Sequence, residues 1–343
     1  MNGFLQKIFQ FMSTSIAMDL GTANTLLYTK RHGIIINEPS VLALDARSGK
    51  VLSVGEEARQ YIGRTHSRIK VVRPLKDGVI ADFDVTRSMI SYFTRKAISG
   101  LALARPSMVI CIPTGITQVE KKAVIDAARL AGAREVSLVE EPMAAAMGAD
   151  LPINEPVGNI VLDIGGGTSE VAVISMGGVA AWQSVRVAGD AMNHAVERYL
   201  REMFHLEVGD TTAENVKMIL GSAIPQNNAP SLEVSGKNIV EGRPGTVVVS
   251  EGHIREALAE PIKIILHTVL QALDKTPPEL AADIWSNGLL MAGGGSLLKG
   301  LDQYLARETR LKVFVDKDPL TTVLRGTAKA MLERAKYKSV FIN

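Results

Sequence analysis

The sequence predicts an α/β protein made of two similar lobes that share one ligand cleft. Three observations carry this. Strand-period and helix-period apolar patterns alternate along most of the chain. A strand-turn-strand unit with an aspartate just before the turn occurs twice, at Asp19 and at Asp163, and each copy begins a half of the chain. The length, 343 residues, suffices for two sizeable cores.

Composition narrows the class. Apolar residues at 46% and charged residues at 22% are globular values and exclude a disordered or collagen-like chain. A formal net charge of +2 leaves no electrostatic footprint for nucleic acid. The single cysteine, Cys111, sits in the apolar run Met108-Val109-Ile110-Cys111-Ile112 and reads as a reduced core thiol. One cysteine allows no intrachain disulfide, which fits a reducing cytoplasm. No window approaches 18 uncharged apolar residues, so no spanning helix is expected. The N-terminus has one lysine, Lys7, and no small-residue cleavage pattern, so it does not read as a signal peptide.

The elements follow in order. After the first strand pair, a short-stranded region runs from about Ile34 to Val72. A helix begins near Asp84, with Val85, Met89, Tyr92 and Phe93 on one face. The strand Met108–Ile112 leads to a helix opened by a capping box, Thr117 to Glu120. The strand Val136–Val139 runs into Glu140-Glu141-Pro142, where Pro142 suits the first helical position. A linker at Asn154 to Gly158 precedes the strand Ile160–Asp163. Helices are expected at Ala191–Met203, Ala213–Gly221 and Ile254–Ala272. Between the last two, residues from about Pro225 to Val249 read as a small β subdomain with turns near Gly236 and Pro244-Gly245. A strand at Gly288–Met291, a glycine-rich turn and two helices close the chain.

The repeated unit carries the chemistry. A tight Gly/Thr/Asn turn between strands exposes successive backbone N–H groups, a concavity that attracts phosphate oxygens. Gly21, Thr22, Ala23 and Asn24 form one such turn; Gly165, Gly166, Gly167 and Thr168 form the other. Read alone, either hairpin is equally an ordinary β-turn. As a pair with matched aspartates, they favour a clamp on a triphosphate. Asp19 and Asp163 would repel phosphate, and make better sense holding Mg²⁺ through its waters. Glu141, at a strand end and helix start, either orients the water that attacks a γ-phosphate or simply favours the helix dipole. The glycines of Ala292-Gly293-Gly294-Gly295-Ser296 serve either a close ligand approach or a tight turn. Thr211-Thr212-Ala213-Glu214 reads as a capping box, or Glu214 and Lys217 face an adenosine. The six histidines lack metal-ligand spacing, and no Gly-x-Ser-x-Gly or Walker-type Gly-Lys-Ser/Thr motif occurs.

At the N-terminus, Phe4, Leu5, Ile8, Phe9, Phe11 and Met12 fall within a helical arc of about 160°. Such a helix lies in a membrane interface or packs on the protein's own core or a partner. Leu101 and Leu103 form a second apolar spot, read either as a second membrane contact or as core.

Several stretches resemble the MreB family of bacterial actins: Asp19-Leu20-Gly21-Thr22-Ala23-Asn24-Thr25, Asn37-Glu38-Pro39-Ser40, the run from Arg73 to Phe83, Glu140-Glu141-Pro142-Met143-Ala144-Ala145-Ala146, Asp163-Ile164-Gly165-Gly166-Gly167-Thr168 and Ala292-Gly293-Gly294-Gly295. The resemblance covers essentially the whole chain. It implies the actin-like (ribonuclease H-like) two-lobed ATPase fold with four subdomains. These would be IA over 15–42, 76–153 and 322–343; IB over 43–75; IIA over 154–190 and 252–321; and IIB over 191–251, with a membrane-binding helix over 1–14. It further implies ATP/ADP and Mg²⁺ as cofactors, slow ATP hydrolysis coupled to polymerisation, and antiparallel double filaments. The filaments would lie on the inner face of the cell membrane, touch its lipid and membrane-embedded proteins such as RodZ and MreC, and organise cell-wall synthesis to set cell shape.

By motif matching, Glu141 would position the attacking water with help from Thr168, and Asp19 and Asp163 would sit near the magnesium. Gly21, Thr22, Ala23 and Asn24 would meet the phosphates from one side, and Gly165, Gly166, Gly167 and Thr168 from the other. Glu214 would bind ribose, Lys217 would border the adenine, and Gly293, Gly294 and Gly295 would lie below it. The membrane contacts map onto the N-terminal helix and onto Leu101 and Leu103; Ala104 stands where the family's loop carries a second bulky apolar residue. Two other readings share this fold. A small-molecule kinase needs a base at an acceptor pocket, and only Glu141 is a candidate. An Hsp70-type chaperone needs a following peptide-binding domain, whereas this chain ends at Asn343.

Overall fold

The computed structural model describes residues 15–98, 105–227 and 229–342. The membrane expectations for residues 1–14, Leu101 and Leu103 lie outside the described residues. Among those described, no helix is long and apolar enough to cross a membrane. The chain divides into two compact units: Met1–Val157 with Ile174–Val179 and Leu320–Asn343, and Gly158–Val173 with Ala180–Pro319.

The first unit is built on a five-stranded sheet. Strands β1 (Ser15–Leu20), β2 (Asn24–Thr29) and β3 (Gly33–Pro39) form an antiparallel meander. The next three strands, β4 (Leu42–Asp45), β5 (Val51–Val54) and β6 (Ile69–Val72), make a separate small sheet in the order β5-β4-β6. The hairpin β7 (Leu75–Lys76) and β8 (Val79–Ile80) turns through Asp77 and Gly78, both at positive φ. Strands β9 (Ser107–Ile112) and β10 (Glu135–Glu140) add in parallel to β1, giving the order β10-β9-β1-β2-β3.

The two-residue period of a strand decides what each face carries. Ile16, Met18, Ile110 and Leu138 point into a core filled by Met89, Ile90 and Phe93 of the helix Phe83–Ala97 and by Val124 and Ala127 of the helix Gln118–Leu130. Ala17 belongs to the opposite face, where it packs with Leu324 and Ala328 of the helix Thr322–Leu332. Asp19 and Cys111 share that second face. The capping box at Thr117 and Glu120 forms as expected, each partner bonding the other's backbone N–H.

The second unit repeats the plan. Strands β11 (Asn159–Ile164), β12 (Ser169–Ser175) and β13 (Gly178–Val185) are followed, much later, by β17 (Leu289–Ala292) and β18 (Val313–Val315). Their order, β13-β12-β11-β17-β18, is that of the first sheet, and β11, β17 and β18 run parallel. Between β13 and β17 lie the helices Gly189–Phe204, Asp210–Leu220 and Glu251–Asp274 and a small antiparallel sheet of β14 (Leu206–Glu207), β15 (Ser231–Asn238) and β16 (Pro244–Ser250).

Three local expectations are corrected. The β15–β16 turn lies between Asn238 and Arg243, not at Gly236 or Gly245, which pair with each other inside the strands. The side chain of Asn238 accepts the N–H groups of Val240 and Glu241 at 2.9 Å each, so the turn is started by an Asx motif and finished by Gly242 at φ 70°. Gly236 is needed because a Cβ would come within 2.5 Å of the Glu207 carbonyl on β14. The Thr211 capping box does not form: Gly209 is the N-cap, so Glu214 lies inside the helix. At the helix Glu141–Gly148, Pro142 takes the second helical position and Glu141 the first.

Candidate functional site

In the first unit the turn Gly21–Asn24 is held by residues distant in sequence. Gly21 N–H bonds Asn24 O at 3.1 Å and closes the turn. Ser40, just beyond β3, supplies three bonds: its hydroxyl donates to Gly21 O at 2.6 Å, its amide donates to Ala23 O at 2.9 Å, and its Oγ lies 2.8 Å from Thr25 Oγ1. On the other side, the Gly78 amide donates to Thr22 Oγ1 at 3.0 Å. Thr22 is buried, and its hydroxyl oxygen accepts the Gly78 amide, which fixes the side chain against the next hairpin. The motifs around Asn37–Ser40 and Lys76–Gly78 thus frame the turn. Ser40 and Gly78 were given no role from sequence, although both lie inside motifs that carry the family resemblance.

Asp19, at the end of β1, pairs in register with Cys111 on β9. The thiol donates to Asp19 Oδ1 at 3.3 Å. Ligand atoms of Asp19, Cys111 and Glu141 lie within 4.8 Å of one another. Glu141 arrives from the start of its helix, which is seated tightly against the helix Thr322–Leu332: a Cβ on Gly326 would stand 1.7 Å from Ala144 O, and one on Gly148 would stand 1.9 Å from Thr322 O. Only glycine permits that approach, and the approach fixes where Glu141 begins. Burial pushes the Asp19 carboxyl up to about 6, with the Cys111 hydrogen bond acting the other way. Burial, then the nearby Asp19 and Glu141 carboxylates, push the Cys111 thiol well above its ordinary value. The thiol is buried and free, as expected, but its place beside two carboxylates was not legible from its apolar neighbours.

The donor set bears on magnesium. Carboxylate oxygens suit this hard cation, while a protonated thiol does not. The Asp19 carboxylate fits Mg²⁺ held through its waters, with Glu141 close by and Cys111 a hydrogen-bond donor to Asp19 rather than a ligand.

In the second unit, Gly165 N–H bonds Thr168 O at 2.9 Å, closing the turn between β11 and β12. Asp163 and Thr168 are buried. The glycine run after β17 packs against the end of β11: a Cβ on Gly293, at φ 77°, would fall 2.3 Å from Asp163 Oδ1, and one on Gly295 would fall 2.2 Å from Ile164 Cγ2. The protein's own strand therefore requires these glycines. Glu214 and Lys217 lie on the helix Asp210–Leu220, and Lys217 Nζ donates to Gly189 O at 3.0 Å. Burial lowers the lysine's pKa, opposed by Glu214, Asp190 and Asp210. Gly189 was not singled out from sequence, where it lacks a motif.

Comparison with known proteins agrees with this geometry. The family model described as MreB/Mbl protein matches residues 13–339. The cell shape-determining protein MreB of Escherichia coli K12 is 47% identical over 333 residues, covering 95% of this chain and 96% of that protein. The cell shape-determining protein Mbl of Bacillus subtilis 168 is 46% identical over 313 residues, covering 91% and 94%. Among solved structures, MreB5 of Spiroplasma citri bound to ADP superposes with a TM-score of 0.90 at 34% identity, covering 96% of this chain and 98% of that one. The MamK double helical filament, 22% identical with a TM-score of 0.80, shares the fold. With two matched sheets, two acidic turns and these relatives, the chain has the actin-like fold and belongs to the MreB/Mbl family.

Proposed function

We propose that this protein binds and slowly hydrolyses ATP and polymerises into filaments that determine cell shape. The observation that carries the reading is the convergence of Asp19 and Glu141, from a strand end and a helix start, beside a turn framed by Ser40 and Gly78. Structures of MreB5 with ADP and with AMPPNP support nucleotide binding, and the names of the curated relatives support a role in cell shape.

The roles follow from the chemistry. The amides of the turn at 21–24 and of Gly165, Gly166 and Gly167 donate to phosphate oxygens. Glu141 accepts a proton of the attacking water and aims its lone pair, and Thr168 assists. Bound Mg²⁺ would screen phosphate charge; Asp19 is the carboxylate of the first unit suited to hold it through water, and Asp163 is the equivalent carboxylate of the second unit. Glu214 and Lys217 serve the ribose and the adenine, beside Gly293, Gly294 and Gly295. Filaments of antiparallel pairs attach to the inner membrane face through Phe4, Leu5, Ile8, Phe9, Phe11 and Met12, with Leu101 and Leu103 as a second contact, and engage cell-wall synthesis proteins there.

The test is sedimentation and phosphate release with ATP and lipid vesicles. Wild type should pellet and release phosphate. Glu141→Gln should still bind ATP while releasing phosphate at least about 100-fold more slowly. Protein that stays monomeric in every nucleotide and lipid condition would refute the filament reading, and Glu141→Gln with undiminished turnover would refute the assignment of Glu141.

A further inference from the structure

We infer that Lys217 is a positioning residue that holds the second unit's phosphate turn in its working orientation through the backbone of Gly189. The inference rests on the ATP-binding reading above and deepens it.

The path is short and continuous. Lys217 Nζ donates to Gly189 O at 3.0 Å. Gly189 N–H donates to Gly165 O at 3.1 Å, and Asp190 N–H donates to Gly166 O at 2.8 Å. These two amides are among the first of the helix Gly189–Phe204, donors that have no partner within the helix and must find one elsewhere. Here they find the carbonyls of the glycine turn.

The peptide plane turns this into a consequence for phosphate. In a trans peptide the C=O of one residue and the N–H of the next point in opposite directions within one rigid plane, and the chain contains no cis bond among the described residues. Anchoring Gly165 O therefore aims the Gly166 N–H away from the helix, and anchoring Gly166 O does the same for the Gly167 N–H. Those are the amides that would meet phosphate. With glycine at both positions no side chain restrains these torsions, so the two anchoring bonds, together with the Gly165 N–H to Thr168 O bond that closes the turn, set them.

Gly189 is the pivot. Its N–H holds the turn and its C=O is held by Lys217. A Cβ there would lie 3.3 Å from Gly165 O and 3.6 Å from Lys217 Nζ, which places both groups within contact distance of this residue. The lysine's own site is prepared by carboxylates of Glu214, Asp190 and Asp210 around it, and the two helices are also tied by Asn193 Nδ2 donating to Asp210 Oδ1 at 3.1 Å. A residue on the nucleoside side of the site thereby restrains the phosphate side.

Two variants test this: Lys217→Met, which keeps the aliphatic stem and removes the donor, and Lys217→Arg, which keeps a donor. Affinities for adenosine, ADP and AMPPNP are measured by calorimetry, and amide exchange at Gly189 and Asp190 is measured without ligand. Lys217→Met should weaken ADP and AMPPNP about tenfold more than adenosine, a loss the size of one hydrogen bond from a charged donor. It should also speed exchange at Gly189 and Asp190 severalfold, and Lys217→Arg should restore both. A lysine that only borders the base would weaken all three ligands by one factor, and that result, or unchanged exchange at the two amides, overturns the inference. Wild-type protein that binds none of the three ligands would instead overturn the ATP reading, while the exchange measurement still reports on the tether.

Discussion

Replacing Gly326 by alanine tests the helix contact that places Glu141. The added Cβ would sit 1.7 Å from Ala144 O and 2.8 Å from Gly148 N. Non-bonded heavy atoms settle near about 3.5 Å, so the helices Glu141–Gly148 and Thr322–Leu332 must part by more than about 1 Å. Neither can slide freely: Ala144, Ala145 and Ala146 are fully buried on one helix, and Leu324 and Ala330 on the other. Overpacking of this kind costs about 1–3 kcal/mol, and a backbone carbonyl as the obstacle puts it at the upper end. Alanine's better helix propensity returns only about 1 kcal/mol. The net loss is then about 2 kcal/mol, or roughly 4–8 °C in Tm for a unit of this size.

Differential scanning calorimetry measures the loss, and ATP turnover should fall with it because Glu141 shifts with its helix. Gly178→Ala is the control, since a Cβ there meets nothing nearer than Ser175 O at 3.8 Å. A Gly326→Ala protein with the Tm and turnover of wild type would show that the contact neither limits stability nor positions Glu141.

Two further outcomes are expected. Ser40→Ala removes the hydroxyl bonds to the part-buried Gly21 O and the buried Thr25 Oγ1; leaving those groups without it costs about 1–3 kcal/mol. Chemical denaturation should show that loss, with weaker ATP binding; unchanged values for both would remove Ser40 from the frame of the turn. Asp19→Asn keeps an acceptor for Cys111 but no longer titrates. Because the folded carboxyl titrates at about 6 against 3.8 for the free group, the native state holds the extra proton between those values, and wild-type stability falls as pH rises through that window. The variant without nucleotide should therefore be more stable than wild type at pH 8, and the difference should shrink as pH falls toward 4. A difference that stays constant with pH would contradict the burial of a titrating Asp19.

Local patterns made the elements legible. The helix that presents Met89 and Phe93 to the core, the Thr117 capping box and both acidic hairpins all follow from residues within a few positions of each other. The supports of the site depend on pairing across long separations. Cys111 meets Asp19 only because β1 and β9 align in one parallel register, and Ser40 reaches Gly21 only because β3 returns alongside β2. The missed turn at Asn238 spaces its Asx residue and its glycine four apart, so no dipeptide signal marks it. At the helix Asp210–Leu220 the threonines offered a capping motif, and an earlier glycine took the cap instead.

The chemistry of the single thiol has a practical consequence. Only the thiolate reacts readily with alkylating agents, and at Cys111 enclosure and two neighbouring carboxylates both oppose its formation. A cysteine introduced on the surface should accept a maleimide dye while the native one stays unlabelled. Single-site fluorescent protein for following assembly in real time can then be prepared without mutating Cys111.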